Sequence, residues 1–310
     1  MKNDFRIRPM AAGDRSELAD LICASTNYWY RVHRGFDAFP GGPAVTQVFF
    51  DVYQSLDPGC GVVAEHVETG RLMGSCFVHP RETHVSLGIM NVHPNYFGHG
   101  VARALLQHII DFADRHQKPV RLVSSAMNLD SFSLYTRAGF VARRAYQDMI
   151  VEVPAAGLPY RASATRTIRK AVPDDVNAIV ALERELCGIA RSNDFRYFIE
   201  NRDGFWHLSV CEAENGGLDG FMASCAHPGC NMIGPGLART QDQAASLLLT
   251  ELDRYRGRRP IFLAPVDCAE VVRQAYQWGA KNCETHFTQV RGDCPPIRGV
   301  NFPTFFPESA

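Results

Sequence analysis

Two glycines, Gly98 and Gly100, separate a short apolar segment ending at Val92-His93-Pro94 from an amphipathic run that begins at Val101. Glycine lets a backbone approach an anion closely and adopt a positive φ. The first turn of a helix offers N–H groups without intrahelical partners, together with a partial positive charge. The segment Val92-His93-Pro94-Asn95-Tyr96-Phe97-Gly98-His99-Gly100-Val101-Ala102 therefore has the makings of a phosphate or pyrophosphate cradle. A glycine pair by itself often marks only a turn. Its position between a strand and a helix makes this one specific. A second constellation, Cys225-Ala226-His227-Pro228-Gly229-Cys230, places three possible zinc ligands close together. The simpler reading is a Pro-Gly turn between two strands with the cysteines packing inward. No second pair of ligands follows at a standard spacing, so the turn is preferred and no metal is expected.

These residues sit in a chain of ordinary globular composition. Of its 310 residues 46% are hydrophobic and 21% charged, and the net charge is −1. That balance gives no electrostatic case for nucleic acid or a membrane surface. No apolar run is long enough to span a bilayer, and the N-terminal residues lack a signal-peptide core, so a cytoplasmic location is expected. The ten cysteines are scattered and read as reduced, mostly buried small apolar residues.

The elements that position the cradle recur later in the chain. Ile7-Arg8-Pro9-Met10 precedes Asp14 and an apolar helical pattern at Leu18, Leu21 and Ile22. Ile168-Arg169-Lys170-Ala171 precedes Asp175, Ile179 and Leu182 in the same way. Leu105 matches Leu247 within a second amphipathic helix, and Gly139 matches Gly279 as a C-terminal helix cap. The separations are 161, 142 and 140 positions, so the second copy is 21 residues shorter, and 19 of those are lost before the long helix. The surplus of the first copy falls near residues 27–59, a stretch rich in Tyr, Trp and Phe. Pro154-Ala155-Ala156-Gly157-Leu158-Pro159 reads as a linker.

Hydrophobic periodicity and turn residues predict, for the first copy, strands at 5–9, 60–66, 71–79, 84–92, 120–126 and 140–152. Helices are predicted at 14–26, 99–116 and 129–137, with a helical insertion running to about 57. The second copy repeats this order from about 166 to 291. The fold class is α/β, with two tandem domains, each a mixed and mostly antiparallel sheet flanked by helices. Residues 1–153 are assigned to the first domain, 154–165 to the linker and 166–310 to the second domain with a C-terminal tail.

The cradle, Val-His-Pro followed by Asn95-Tyr96-Phe97-Gly98-His99-Gly100, resembles the phosphate-binding signature of the GNAT superfamily of N-acetyltransferases. A second block, Asn128-Leu129-Asp130-Ser131-Phe132-Ser133-Leu134-Tyr135-Thr136-Arg137-Ala138-Gly139-Phe140, is similar to that family's Asn…Leu-Tyr-x-x-x-Gly-Phe segment. Together with the matching start, the likeness covers nearly all of the first copy. It implies acetyl-CoA as acyl donor, with Met90, Val92, Asn95 to Ala102, Asn128, Ser131 and Tyr135 as coenzyme contacts. Asn95 stands where Gln or Arg is usual, Phe97 where Arg is frequent and Ser131 where Ala is common, which shifts phosphate binding toward backbone donors.

The resemblance further implies direct attack of a substrate amine on the thioester, without a covalent acyl-enzyme. Tyr135 matches the acid that protonates the departing thiolate, or else packs on the pantetheine and hydrogen-bonds its sulfur. Backbone N–H groups near Met90 and Val92 are assigned to the thioester oxygen. The usual strand glutamate falls at Ser86, which leaves His84 and, through water, Glu82 as candidate bases, with the C-terminal carboxylate of Ala310 a further one.

At the corresponding helix start the second copy reads Thr240-Gln241-Asp242, with a carboxylate where the first has Gly100, and Ala275 stands at the position of Tyr135. It is expected to be a degenerate, structural domain, so one coenzyme is expected per chain. The leading expectation is an N-acetyltransferase acting on a small amine, amino acid or peptide, monomeric or homodimeric, with no nucleic-acid or membrane partner. A non-catalytic acyl-CoA-binding regulator and a transferase of longer acyl chains are the alternatives. The aromatic surplus at residues 27–59 is expected to wall the acceptor site.

Overall fold

The computed structural model describes residues 4–161, 167–214 and 216–307. Ala310, residue 166 at the predicted start of the second copy and residues 162–165 of the linker lie outside the described residues. The chain divides into two compact units. One is drawn from Met1–Pro80, Val85–Val120 and Phe305–Glu308, the other from Arg81–His84, Arg121–Thr304 and Ser309–Ala310.

In the first unit, β1 (Phe5–Pro9), β2 (Val62–His66), β3 (Leu72–Pro80) and β4 (Val85–Val92) form consecutive antiparallel pairs. Helices α1 (Arg15–Arg34), α2 (Pro43–Leu56) and α3 (Val101–Arg115) accompany them. Helix α1 buries Leu18, Leu21 and Ile22 at helical spacing, and α3 buries Val101, Leu105, Ile109 and Ala113. The first helix runs on to Arg34 rather than ending at residue 26, and α2 begins at Pro43, where proline suits the first helical turn. Asn27 fastens the connection between them, accepting from the Phe39 N–H at 2.8 Å and donating to the Phe39 carbonyl at 3.1 Å.

The aromatic surplus divides between the core and the surface. Phe49 and Tyr53 on α2 pack on Phe306 with ring centroids 5.0 and 5.3 Å apart, and Tyr53 also lies against Phe77 of β3. Phe49, Phe50 and Tyr53 are buried, whereas Tyr28 and Phe36 are exposed. Trp29, Tyr30 and Phe39 are half-buried, so the aromatics left to wall an acceptor lie on α1 and in the connection to α2. Phe49, Phe50 and Tyr53 fill the space that a helix pair of 20 and 14 residues leaves over a four-stranded sheet.

The second unit contains β5 (Val120–Ser125), which starts at the boundary, α4 (Leu129–Arg137), β6 (Val141–Ile150) and β7 (Ile168–Lys170). Helices α5 (Val176–Cys187) and α6 (Ser192–Glu200) follow, then β8 (Trp206–Glu212), β9 (Leu218–His227) and β10 (Cys230–Ala238). The remaining elements are α7 (Gln241–Leu252), β11 (Ile261–Pro265), α8 (Ala269–Gln277), β12 (Lys281–Arg291) and β13 (Val300–Phe302). Helices α5 and α6 have 12 and 9 residues, so the shortening of the second copy falls where the sequence places it.

The strands of this unit run β5-β12-β6-β11-β10-β9-β8-β7, with β13 added on β10. The last strand of the first copy, β6, lies between β11 and β12 of the second. The last strand of the second copy, β12, lies between β5 and β6 of the first. The two copies therefore exchange their final strands, which meet as a long antiparallel pair from Lys281↔Ile150 to Val290↔Val141. This exchange explains why the compact units depart from the two sequence copies.

The repeat is also written in ion pairs. Arg8 binds Asp14 through two N–H groups at 2.7 and 2.8 Å and reaches Glu65, while Asp14 accepts from the Ala11 N–H. Arg169 binds Asp175 at 2.7 and 2.9 Å and reaches Glu212, while Asp175 accepts from the Val172 N–H. A buried set holds the turn at residues 81–84 in the second unit. Arg81 pairs with Asp194 at 2.8 Å, Arg191 pairs with Glu183, and Thr83 accepts from the Ala190 N–H at 3.0 Å. Among the described residues no helix is long and apolar enough to cross a membrane.

Two outcomes follow. Arg8 and Arg169 hold the carboxyls of Asp14 and Asp175 below the usual range. Their contribution is therefore complete above the ordinary Asp pKa and is lost as pH falls through the depressed one. Melting temperatures of the wild type fall across that acid range, and the Asp14→Asn/Asp175→Asn double variant shows a shallower decline from a lower neutral value. Arg81→Ala leaves Asp194 buried without its cation and lowers stability by about 3–5 kcal/mol in urea unfolding.

Candidate active site and its counterpart

The ladder between β3 and β4 is bulged, since Cys76 faces Met90 while Val78 faces Leu87. Such a bulge interrupts strand pairing and re-aims the backbone beyond it, here immediately before Met90 and Val92. Pairing ends where the His93 N–H donates to the Met73 carbonyl, and Pro94–Tyr96 form one 3-10 turn. His93 caps that turn by accepting from the Asn95 N–H at 3.2 Å. The N–H groups of Tyr96, Phe97 and His99 also close local turns, onto His93, Pro94 and Tyr96. These N–H groups are therefore already engaged within the turn. Asn95, Tyr96, Phe97 and His99 build the turn, and helix geometry leaves the first-turn N–H groups of α3 without intrahelical partners.

Gly98 and Gly100 have φ of +82° and +81°, and Gly100 is the N-cap of α3. A Cβ would meet nothing within 4 Å at Gly98 and only the Arg103 guanidinium, at 3.8 Å, at Gly100. The glycines are thus demanded by backbone conformation rather than by crowding. Arg103 is a cation beside this turn that sequence reasoning did not single out. Its signal was available, three residues after Gly100 on the first turn of the helix, and it lays a guanidinium by the turn where Asn95 and Phe97 replace the usual cationic side chains. Phe97 is exposed and edges onto Tyr28 at 5.8 Å.

The second block lies in the other compact unit. Asn128 caps α4 by accepting from the Ser131 N–H at 3.1 Å, so these two predicted coenzyme contacts also start the helix. Tyr135 is buried at 7% exposure and packs on Phe140 with centroids 5.8 Å apart.

The candidate bases are placed less favourably. Strand β4 begins at Val85, so His84 belongs to the preceding turn rather than to the strand. His84 and Ser86 are each 1% exposed. Glu82 accepts from the Ser192 N–H at 3.0 Å and the Ser192 hydroxyl at 2.6 Å, serving the start of α6. Burial raises its pKa, but the Ser192 bonds outweigh that and hold the carboxyl below its usual range.

The counterpart in the second copy is closed by its own side chains. Gly74 lies against Val101 and Leu105, where a Cβ would stand 2.8 and 3.2 Å from their side chains. Gly220 lies 2.7 Å from Leu247 by the same measure, which confirms Leu105 and Leu247 as equivalents. Helix α7 therefore starts two residues early, through the place of the glycine turn. Thr240 and Gln243 cap it reciprocally, and the Gln241 side chain accepts from the N–H groups of Glu270 and Val271 at the start of α8.

Strand β10 pairs in parallel with β11 at Met232 and Ile233, then departs through an irregularity between Ile233 and Gly236. Beyond it β13 pairs along Gly236–Ala238, with Gly236 facing Phe302 and Ala238 facing Val300. Asn301 of β13 is held by Arg144 at 2.6 Å and by Tyr146.

The Cys225–Cys230 segment is the β9–β10 turn. His227 accepts from the Gly229 N–H at 3.0 Å, Cys225 is buried and Cys230 half-buried. Among the described residues the trio whose ligand atoms converge within 4.8 Å is instead Asp148, Glu284 and His286, all buried, which sequence reasoning did not find. Asp148 precedes Glu284 and His286 by 136 and 138 residues, and only the strand exchange brings them together.

Comparisons with known proteins accord with this geometry. Residues 28–140 match the acetyltransferase (GNAT) family profile and residues 179–297 match an acetyltransferase (GNAT) domain profile. The UPF0157 protein YqkA of Bacillus subtilis is 31% identical over 102 residues, which is 33% of this chain and only 28% of that relative's length. An acetyltransferase candidate from Pyrococcus horikoshii superimposes with a TM-score of 0.76 at 15% identity, covering 100% of this chain and 97% of the other. A GCN5-related N-acetyltransferase from Sphaerobacter thermophilus gives 0.65 at 18% identity, over 96% and 98% of the two chains. A tandem GNAT protein from the clavulanic acid biosynthesis pathway gives 0.62 at 16%, over 92% and 98%. With both halves matched by that family and the duplicated fold shared along the whole chain, the protein belongs to the GNAT acyltransferase superfamily as a tandem member.

Proposed function

We propose that the chain is an acetyl-CoA-dependent N-acetyltransferase, in which a substrate amine attacks the thioester directly. The observation that carries this reading is the turn at the start of α3, where Gly98 and Gly100 hold left-handed backbone and Arg103 stands beside open helix N–H groups. Phosphate recognition follows from those donors and the guanidinium. In the resemblance on which the reading rests, the N–H groups at Met90 and Val92 take the thioester oxygen and Tyr135 protonates the leaving sulfur. The bulge before Met90 and the burial of Tyr135 support these roles. The acceptor class is a small amine, amino acid or peptide amine, handled in the cytoplasm by a monomer or homodimer.

We take residues 1–153 as the catalytic copy, 154–165 as linker and 166–310 as a degenerate copy. The capped start of α7 and the run of β13 along β10 support a second copy without coenzyme. One coenzyme per chain is the consequence.

Calorimetric titration with acetyl-CoA gives a stoichiometry near one. Gly100→Ala forces an alanine into a left-handed conformation at a cost of about 1–2 kcal/mol and weakens coenzyme binding about tenfold or more. Arg103→Ala weakens it by about three- to tenfold through the lost guanidinium. Thiol release from acetyl-CoA with a panel of amines tests the chemistry. Tyr135→Phe lowers kcat about a hundredfold with coenzyme affinity nearly unchanged. Binding without turnover on any amine would show an acyl-CoA-binding protein instead.

A further inference from the structure

A fully buried carboxylate stands in the second copy where the first has an aliphatic side chain. Glu251 of α7 has no exposed surface. It accepts from His207 Nδ1 at 2.9 and 3.1 Å, from the Ser209 hydroxyl at 2.5 Å and from the Ser224 hydroxyl at 2.6 Å. His207 and Ser209 alternate along β8, and Ser224 faces His207 from β9, so the three donors share one sheet face.

The internal repeat supplies the comparison. The Met10 N–H donates to the Gly61 carbonyl at 2.9 Å and the Ala171 N–H to the Leu208 carbonyl at 2.8 Å, while Gly74 faces Ala64 and Gly220 faces Cys211. These anchors, with Leu105 and Leu247, align His207 with Cys60, Ser209 with Val62, Ser224 with Val78 and Glu251 with Ile109. Val62, Val78 and Ile109 are buried, and Cys60 is half-buried. One copy thus joins helix to sheet here with an apolar set, and the other with a histidine, two hydroxyls and a carboxylate. Burying a carboxylate carries a desolvation penalty that an aliphatic side chain avoids. Packing therefore does not account for the polar set, which points to chemistry.

Its geometry is that of an activated nucleophile. A carboxylate accepts, so in the neutral imidazole Nδ1 carries the proton and the lone pair lies on Nε2. Glu251 is in turn fixed by Ser209 and Ser224, which gives the order of nucleophile, base and orienting group. Among the described residues nothing bonds Nε2, and the His207 side chain keeps 11% of its surface exposed. The surroundings are basic. Lys170 of the edge strand β7 faces Ser209 and is exposed. Arg258 donates at 2.9 Å to the carbonyl of Ala226, two residues along β9 from Ser224, and lies over the Tyr255 ring at 5.4 Å. Arg254 and Arg259 of the same segment are exposed, while Asp253 is paired with Arg256. An anionic reactant suits that surface.

We infer that His207 is a phosphoryl-accepting histidine, modified at Nε2 by a small anionic donor of the phosphoramidate or acyl-phosphate class. This site stands apart from the acyltransferase reading of the first copy, since none of its residues belongs to the coenzyme turn. The Nε2 lone pair bonds to phosphorus as the P–N or P–O bond of the donor breaks, and the leaving group departs with the electron pair. The ring keeps its Nδ1 proton and becomes an imidazolium, whose charge Glu251 balances. The degenerate copy then carries a covalent modification site of its own.

The test treats the full chain with phosphoramidate and follows each histidine by peptide mass spectrometry and phosphorus NMR. His33 and His116 serve as internal references. Both are exposed, and their Nδ1 atoms donate to the Trp29 and Phe112 carbonyls at 2.8 Å each, so they hold the same tautomer without a carboxylate. His207 is expected to be phosphorylated about tenfold or more faster than either, although it is far less exposed. Glu251→Gln is expected to slow His207 by about 10–10²-fold, as befits a group acting through the imidazole, and to leave His33 and His116 unchanged. His207→Gln loses that adduct alone. A wild-type rate at His207 no greater than at His33 and His116 would overturn the assignment, whatever the variants do. So would an unchanged rate in a Glu251→Gln chain that melts cooperatively. A divalent metal held by the purified chain and lost in His207→Gln would overturn it in favour of a cation site.

Discussion

The antiparallel pair between β6 and β12 is the constraint on which the rest of the second unit depends. Each strand ends one sequence copy and is hydrogen-bonded on both sides by the other, so neither copy completes its sheet alone. A duplicated domain could have kept its two halves as separate bodies joined by a linker. Exchange of the last strands instead removes two edges that would otherwise be open to pairing. It also brings residues of the two copies into one hydrogen-bonded surface, and the Asp148–Glu284–His286 trio exists only because of it.

Against that shared centre the copies differ at their helix starts. Where the first has a glycine turn with left-handed backbone and an arginine beside it, the second runs straight into a helix capped by Thr240 and Gln243. The difference is local and chemical. The packing beneath is the same, as the matching approach of Leu105 to Gly74 and of Leu247 to Gly220 shows. One fold thus carries one anion-ready turn and one that satisfies itself.

Much of the architecture was legible in the sequence because the relevant signals are local. Strand and helix order in the first copy followed from periodicity, and the repeat was visible from Ile7 and Ile168 onward. The aromatic stretch from Asn27 reads as a separate helical insertion, whereas α1 continues without a break to Arg34 because nothing before Gly35 stops it. The role of Arg103 lay one helical turn past the motif that drew attention. Strand exchange, and with it the neighbours of His286, could not be read at all. Register between strands more than a hundred residues apart is set by the whole sheet, not by any local pattern. The candidate bases Glu82 and His84 illustrate the same limit, since alternation along the strand says nothing of the Ser192 backbone that claims Glu82.

The exchange also sets the order in which the protein can be finished as it is made. Strand β5 is bordered on one side by β12, whose residues are some 160 positions further along the chain. At about 5–20 residues per second the wait from the end of β6 to β12 is on the order of ten seconds. For most of that interval, until β11 is made, β6 also lacks both of its neighbours, and the nascent first copy must hold strand edges without partners.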